Sequence, residues 1–171
     1  ADNKPLVQLL RRLPEPAMPT VPVPDSARVL VDDIAESLHH AEWDLPYPFD
    51  TVAFAVDGLG GKPWRPEACS RFGLVSPFCD EAALALLADL PADAAPVFIG
   101  RSDELAKIPP KTLDRYAQVA VMDEMSTSED GEEQEETALD GLHAKVFVAE
   151  RGWDVSITVG SGNATRPALI S

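Results

Sequence analysis

His143, Lys145, Ser161 and Asn163 are the residues whose types and spacing could do chemistry together. They lie in the stretch 142–165, LHAKVFVAERGWDVSITVGSGNAT, as two apolar alternating runs joined by a short turn at Arg151-Gly152. His143 and Lys145 are two residues apart, so on a β-strand they point to the same face. Neutral imidazole is a nucleophile, and histidine as a residue type reaches that state near neutral pH. A fixed ammonium beside it, with an amide and a hydroxyl on a small-residue turn, suits the handling of a phosphate oxyanion. Gly160 and Gly162 leave space for the backbone to approach such a group.

The elements that must position these residues follow from patterning. The alternating runs predict strands over 142–149 and 154–159 in a hairpin, and Asn163 or Thr165 could start a helix that Arg166-Pro167 enters. Upstream, strands are predicted over 51–56, 72–76, 97–100 and 118–122. Asp80 is placed to cap an Ala- and Leu-rich helix over 81–90. Short helical segments over 102–107 and 111–116 are split by Pro109-Pro110. Helices and strands in alternation, closed by a hairpin, indicate an α/β layered domain with a mixed β-sheet flanked by helices.

The first 50 residues read differently. A short helix is expected over 6–12. Pro14, Pro16, Pro19, Pro22 and Pro24 then make 13–24 an extended arm. Leu30, Ile34 and Leu38 repeat at helical spacing and predict a helix over 27–42 with Asp25 or Ser26 as its N-cap. His39 and His40 fall near its end, where they favourably face the helix dipole. The expected division is therefore a Pro-rich arm and helix over 1–50, then the α/β domain over 51–171. The glycine-rich turn at 57–62 lacks both the GK[ST] of a phosphate loop and the third glycine of a dinucleotide fingerprint, and reads as a loop.

Composition excludes several classes. With 171 residues and 45% apolar content the chain can bury a core. It has no apolar run long enough for a membrane helix and no secretory signal pattern, so a cytoplasmic setting and no membrane partner are expected. Cys69 and Cys79 are too few for a disulfide framework. The formal net charge of −15 argues against loose electrostatic wrapping of nucleic acid. The charge is uneven, however: residues 123–136 hold eight acidic side chains and no basic one, within a polar loop expected over 123–140. Residues 137–171 are neutral, with Asp140, Glu150 and Asp154 against Lys145, Arg151 and Arg166.

His143-x-Lys145, four residues, Glu150, and then Gly160-Ser161-x-Asn163 resembles the HKD motif of the phospholipase D superfamily. Leu74-Val75-Ser76-Pro77-Phe78 is similar to the strand ending that precedes a helix in many bacterial members. The resemblance covers 141–165 best, extends from residue 51 onward, and leaves 1–50 outside. It implies a phospholipase D-like α/β/α sandwich and metal-independent phosphodiester hydrolysis. It implies His143 as the nucleophile that forms a covalent phosphohistidine, with Lys145 and Asn163 on the phosphoryl oxygens. Ser161, Gly160 and Gly162 would support phosphate binding. Glu150 stands where the family has aspartate, a position of local support, and Asp154 is a possible substitute. Nine residues, 151–159, separate Glu150 from Gly160, more than the family's usual spacing, and a longer hairpin would absorb them.

The family builds one site from two such motifs, the second histidine protonating the leaving group. This chain carries one. The second is expected from a homodimer partner or from the rest of a longer chain, and the stop at Ser171 favours a fragment, since family domains continue beyond the asparagine. The expected substrate is nucleic acid rather than lipid, because no basic amphipathic stretch is present. A basic patch of Lys145, Arg151 and Arg166 would then be needed. No cofactor or metal is expected. The reading from another class is a catalytically inactive phospholipase D-like binding or assembly module of a defence or DNA-processing protein.

Overall fold

The computed structural model describes residues 2–15, 22–57, 64–122 and 143–169. The chain divides into two compact units, Ala1–Trp64 and Arg65–Ser171.

The first unit is a helical hairpin. Helix α1, Lys4–Arg12, takes Pro5 in its first turn and Arg11 and Arg12 in its last, both favourable placements. Helix α2, Asp25–His39, starts two residues earlier and stops three earlier than the apolar spacing predicts. Neither Asp25 nor Ser26 is its N-cap: Pro24 holds that position, and Asp25 lies in the first turn, where its charge suits the helix dipole. Asn3 ties the hairpin together. Its amide donates to the carbonyls of Leu38 (2.9 Å) and Ala41 (2.8 Å), and its Oδ1 accepts from the Trp43 indole (2.7 Å). The expected strand over 51–56 is not formed. These residues belong to the first unit and pair with no strand among the described residues, although every second one is half-buried. Trp43 packs on Phe54 at 5.0 Å between ring centroids, so the alternation is satisfied by side-chain packing without a sheet. Half of the expected arm, most of the glycine-rich turn and all of the acidic run lie outside the described residues.

The second unit is a mixed α/β layer. Its strands are β1 Arg71–Val75, β2 Val97–Gly100, β3 Gln118–Val121, β4 Val146–Arg151 and β5 Asp154–Val159. Its helices are α3 Glu81–Ala88, α4 Ser102–Leu105, α5 Pro110–Leu113 and α6 Arg166–Leu169. The sheet order is β3-β2-β1-β4-β5. β1, β2 and β3 are parallel, and β4 and β5 add an antiparallel hairpin beside β1.

The register sorts the strands into two faces. Leu74 lies opposite both Phe98 and Phe147, and Phe72 opposite Ala149, so these five share one face, and all are buried. Phe98 packs on Tyr116, whose hydroxyl donates to the Leu84 carbonyl of α3 at 2.8 Å. Fully burying side chains such as Phe98, Leu84 and Leu87 contributes roughly 1.5–3 kcal/mol each. Gly100 is needed here: a Cβ would come within 2.9 Å of the Phe98 ring. The opposite face is also apolar, with Val97 and Ile99 of β2, Val146 and Val148 of β4, and Val155, Ile157 and Val159 of β5. Val97 and the three β5 residues on it are exposed.

The hairpin turn is two residues, Gly152-Trp153, because Arg151 pairs with Asp154. Gly152 has φ of +63°, and among the described residues no non-glycine residue has positive φ, which fits a turn with glycine at its first central position. The extra residues between Glu150 and Gly160 thus lengthen two fully paired strands.

Candidate functional site

The site is built at the carboxyl end of β1. That strand stops at Val75, and Ser76 and Pro77 behind it are fully buried. A buried hydroxyl must find partners. Ser76 Oγ donates to the Phe78 carbonyl at 2.7 Å and accepts from the Ala164 amide at 2.9 Å. Its own amide donates to the Ile99 carbonyl at 3.0 Å. Four residues later the chain binds the same segment again: the Asp80 amide donates to the Ala164 carbonyl at 3.0 Å. The Asp80 carboxylate then divides its work. Oδ1 caps α3 by accepting from the Ala83 amide at 2.8 Å, as the sequence predicts. Oδ2 accepts from the Arg166 amide in the first turn of α6 at 2.5 Å. Ser76 and Asp80 therefore clamp 163–166 against β1 and α3.

The other half of the motif arrives from β4. This strand begins at Val146, four residues later than expected, so His143 and Lys145 precede it. The Gly160 amide donates to the Lys145 carbonyl at 3.4 Å, which carries the hairpin ladder one pair past its ends. One step beyond the Val75–Val146 pair, Lys145 also lies level with Ser76. Its ammonium reaches back to the His143 carbonyl at 3.0 Å. His143 is exposed and Lys145 half-buried. The sheet thus brings Lys145, Gly160 and the Asn163–Ala164 segment to one end, although 18 residues separate Lys145 from Asn163.

Asn163 is half-buried, and its Oδ1 is fully shielded with no hydrogen-bond partner among the described residues. An unpaired buried acceptor costs about 1–3 kcal/mol, so this amide is not optimised for stability. Gly160, Ser161 and Gly162 are exposed. Neither glycine has positive φ, a Cβ on Gly160 would meet nothing within 4 Å, and one on Gly162 would meet only the Ala168 Cβ at 3.9 Å. The chain itself therefore does not require glycine at 160 or 162, and the space beside both is open.

Two expected members stand elsewhere. Glu150 is at the far end of β4, ~17 Å along the strand from Lys145 at ~3.3 Å per residue. It lies opposite Arg71 and accepts from that guanidinium at 2.8 and 2.5 Å, an ion pair that raises the Arg71 pKa. Its role is to join β1 and β4. Arg151 is at the same far end, bound to the Ala68 carbonyl at 3.1 Å and the Glu67 carboxylate at 3.4 Å, so it is not part of a basic patch with Lys145. The cation that does follow a strand at the site end is Arg101, directly after β2. Its guanidinium lies 5.7 Å from the centroid of the exposed Phe78 ring and 3.1 Å from Asp103. Sequence reasoning missed Arg101 and the Asp80–Arg166 link, because neither has a local signal. The one is brought in by parallel pairing of β1 and β2, and the other spans 86 residues.

Cys79 is buried beside this junction in a bridge to Ala164. Burial, with Glu104 and Asp80 adding negative charge, pushes its thiol up to about 11. Such a thiol is protonated near neutral pH and is not a nucleophile. Among the described residues no group of His, Cys, Asp and Glu side chains could hold a metal ion, and no helix is long and apolar enough to cross a membrane. Comparison with family models, with curated proteins and with solved structures returned no match.

Proposed function

We propose that the second unit is a phospholipase D-like domain that hydrolyses phosphodiesters, with nucleic acid as its substrate. The observation that carries this reading is the meeting of Lys145, Gly160 and Asn163 at the carboxyl end of β1, where open α/β sheets characteristically bind ligands. His143 attacks phosphorus, and the P–O bond to the leaving alcohol breaks as the N–P bond forms. Water then attacks the phosphohistidine and restores the imidazole. Lys145 balances charge on the non-bridging oxygens. Asn163 lends its amide to the same oxygens. Open space at Gly160 and Gly162 suits approach of the phosphate to the backbone amides of 160–163. Arg101 and Phe78 give the same sheet end a cation and an aromatic surface, which suit a nucleic acid better than a lipid headgroup. The second histidine, needed to protonate a poor leaving group, comes from a homodimer partner or from further chain.

A specific observation favours a second reading. The chain carries −15 overall, and its one motif leaves the general acid unfilled, as suits a catalytically inactive binding or assembly module. An activated diester with a nitrophenolate leaving group separates the two, since that group departs without an acid. The hydrolytic reading expects release of nitrophenolate and an acid-labile phosphoryl adduct on His143. Both are lost in His143→Ala and retained in EDTA. Equal release from wild type and variant would remove His143 from the mechanism.

A further inference from the structure

We infer that β5 is a self-association edge, on which two copies of this chain pair antiparallel about Ile157 and extend the sheet from five strands to ten. Among the described residues β5 is the last strand of the sheet on its side. It is six residues long and carries no proline, no lysine and no bulge, the usual devices that blunt an edge. The opposite edge strand, β3, has only four residues.

The hydrogen-bond phase of the β4–β5 hairpin fixes which groups of β5 face outward. Gly160 donates to Lys145, so that pair is of the hydrogen-bonded kind, and in an antiparallel ladder the kinds alternate. Thr158, Ser156 and Asp154 are then the β5 residues bonded to β4. Val155, Ile157 and Val159 turn their amides and carbonyls outward. These same three residues place their side chains on the exposed apolar face, at 56%, 46% and 72% exposure. Backbone and side chains therefore present one coincident surface.

Two copies of this edge fit each other in one register. With Ile157 opposite Ile157 of the second copy, Val155 meets Val159, Ser156 meets Thr158 and Asp154 meets Gly160. Every outward-facing residue meets an outward-facing one, which makes three hydrogen-bonded pairs. The cross-strand partners are apolar with apolar and hydroxyl with hydroxyl, combinations that stabilise sheets. No like charges are opposed, and the flanking segment 137–171 is neutral despite the −15 of the whole chain. A two-fold contact of this kind is closed and stops at two copies. The exposed apolar face then becomes continuous across both copies. This pairing does not depend on the hydrolytic reading. It leaves the two Gly160 residues six strand positions, or ~20 Å, apart, so it does not merge two motifs into one site.

The test is sedimentation velocity on the full chain across a concentration series, with circular dichroism as the folding control. Wild type should approach twice its 18.4 kDa mass. Ile157→Lys sets like charges directly across the two-fold and should weaken association by at least about tenfold. Val155→Glu with Val159→Glu should do the same, whereas Val155→Lys with Val159→Glu should restore the dimer, since each lysine then meets a glutamate. A monomeric wild type would overturn the inference. So would a dimer that all three variants leave unchanged, because it would use another surface, or a charge-swapped pair no better than the double glutamate.

Discussion

The two halves of the motif meet at one end of the sheet but are held in opposite ways. On the β1 side, Ser76 is fully buried and bonded through its hydroxyl to two partners, and Asp80 serves two helices at once. On the β4 side, His143 and Ser161 are exposed, Lys145 is half-buried, and its ammonium bonds a carbonyl two residues away. Asn163 sits between them with an unpaired buried oxygen. The buried half is bonded on several sides and positions; the exposed half faces solvent. Substitutions should therefore separate into those that cost activity without stability and those that cost stability first.

The sharpest break is His143→Ala. As the nucleophile of the proposed reaction its loss should lower turnover at least ~1000-fold, about 4 kcal/mol in the barrier. An exposed side chain outside any element should shift the unfolding free energy by no more than about 0.5 kcal/mol. Parallel rate and thermal-unfolding measurements check this, and a large loss of stability would erase the distinction between the halves. Asp80→Ala is the converse. It removes the cap of α3 and the acceptor of the Arg166 amide, and should cost about 2–3 kcal/mol in denaturant unfolding. Ser76→Ala comes next. It strands the buried Ala164 amide, whose donor loses its acceptor, at about 1–3 kcal/mol. If either variant matched wild-type stability, the clamp would not be what holds 163–166 in place.

What the sequence revealed of this arrangement divides along the same line. Strands 97–100 and 154–159 occur where their apolar runs place them, and Asp80 caps α3 as its residue type suggests. Local signals suffice for such features. The segment 51–56 alternates as well as any strand, but pairing is a tertiary event, and Phe54 found Trp43 instead. β4 starts four residues later than its apolar run predicts, because apolar character alone does not say where a ladder ends. Spacing groups His143, Lys145 and Asn163, and the sheet brings Lys145 and the 163–164 segment to one end. Spacing misplaces Glu150, whose distance from Lys145 in sequence is short but in an extended strand becomes most of the strand's length. The Ser76–Ala164 and Asp80–Arg166 links span 88 and 86 residues and have no sequence signature of their own.

Cys79 gives the gentlest probe of the buried half, one whose ionisation acts only in the alkaline range. Its thiol is pushed from 9.0 up to about 11, mainly by burial. The unfolded chain can release that proton near pH 9, whereas the folded chain holds it until about pH 11. Below pH 9 both states are protonated, and the group's stabilising contribution is fully present. Between pH 9 and about 11 the unfolded state gains by ionising and the folded state does not, so stability falls. Tyr116, also raised by burial, titrates in the alkaline range too, so the total slope cannot be assigned to the cysteine alone. The difference between wild type and Cys79→Ala can. The variant should lose a constant amount from its smaller side chain and then show a shallower decline from pH 9 upward. Urea unfolding at half-unit pH intervals reads this directly. Curves that stay parallel up to pH 11 would mean the thiol is as well solvated as in the unfolded chain, and the junction around Ala164 is open to water rather than closed.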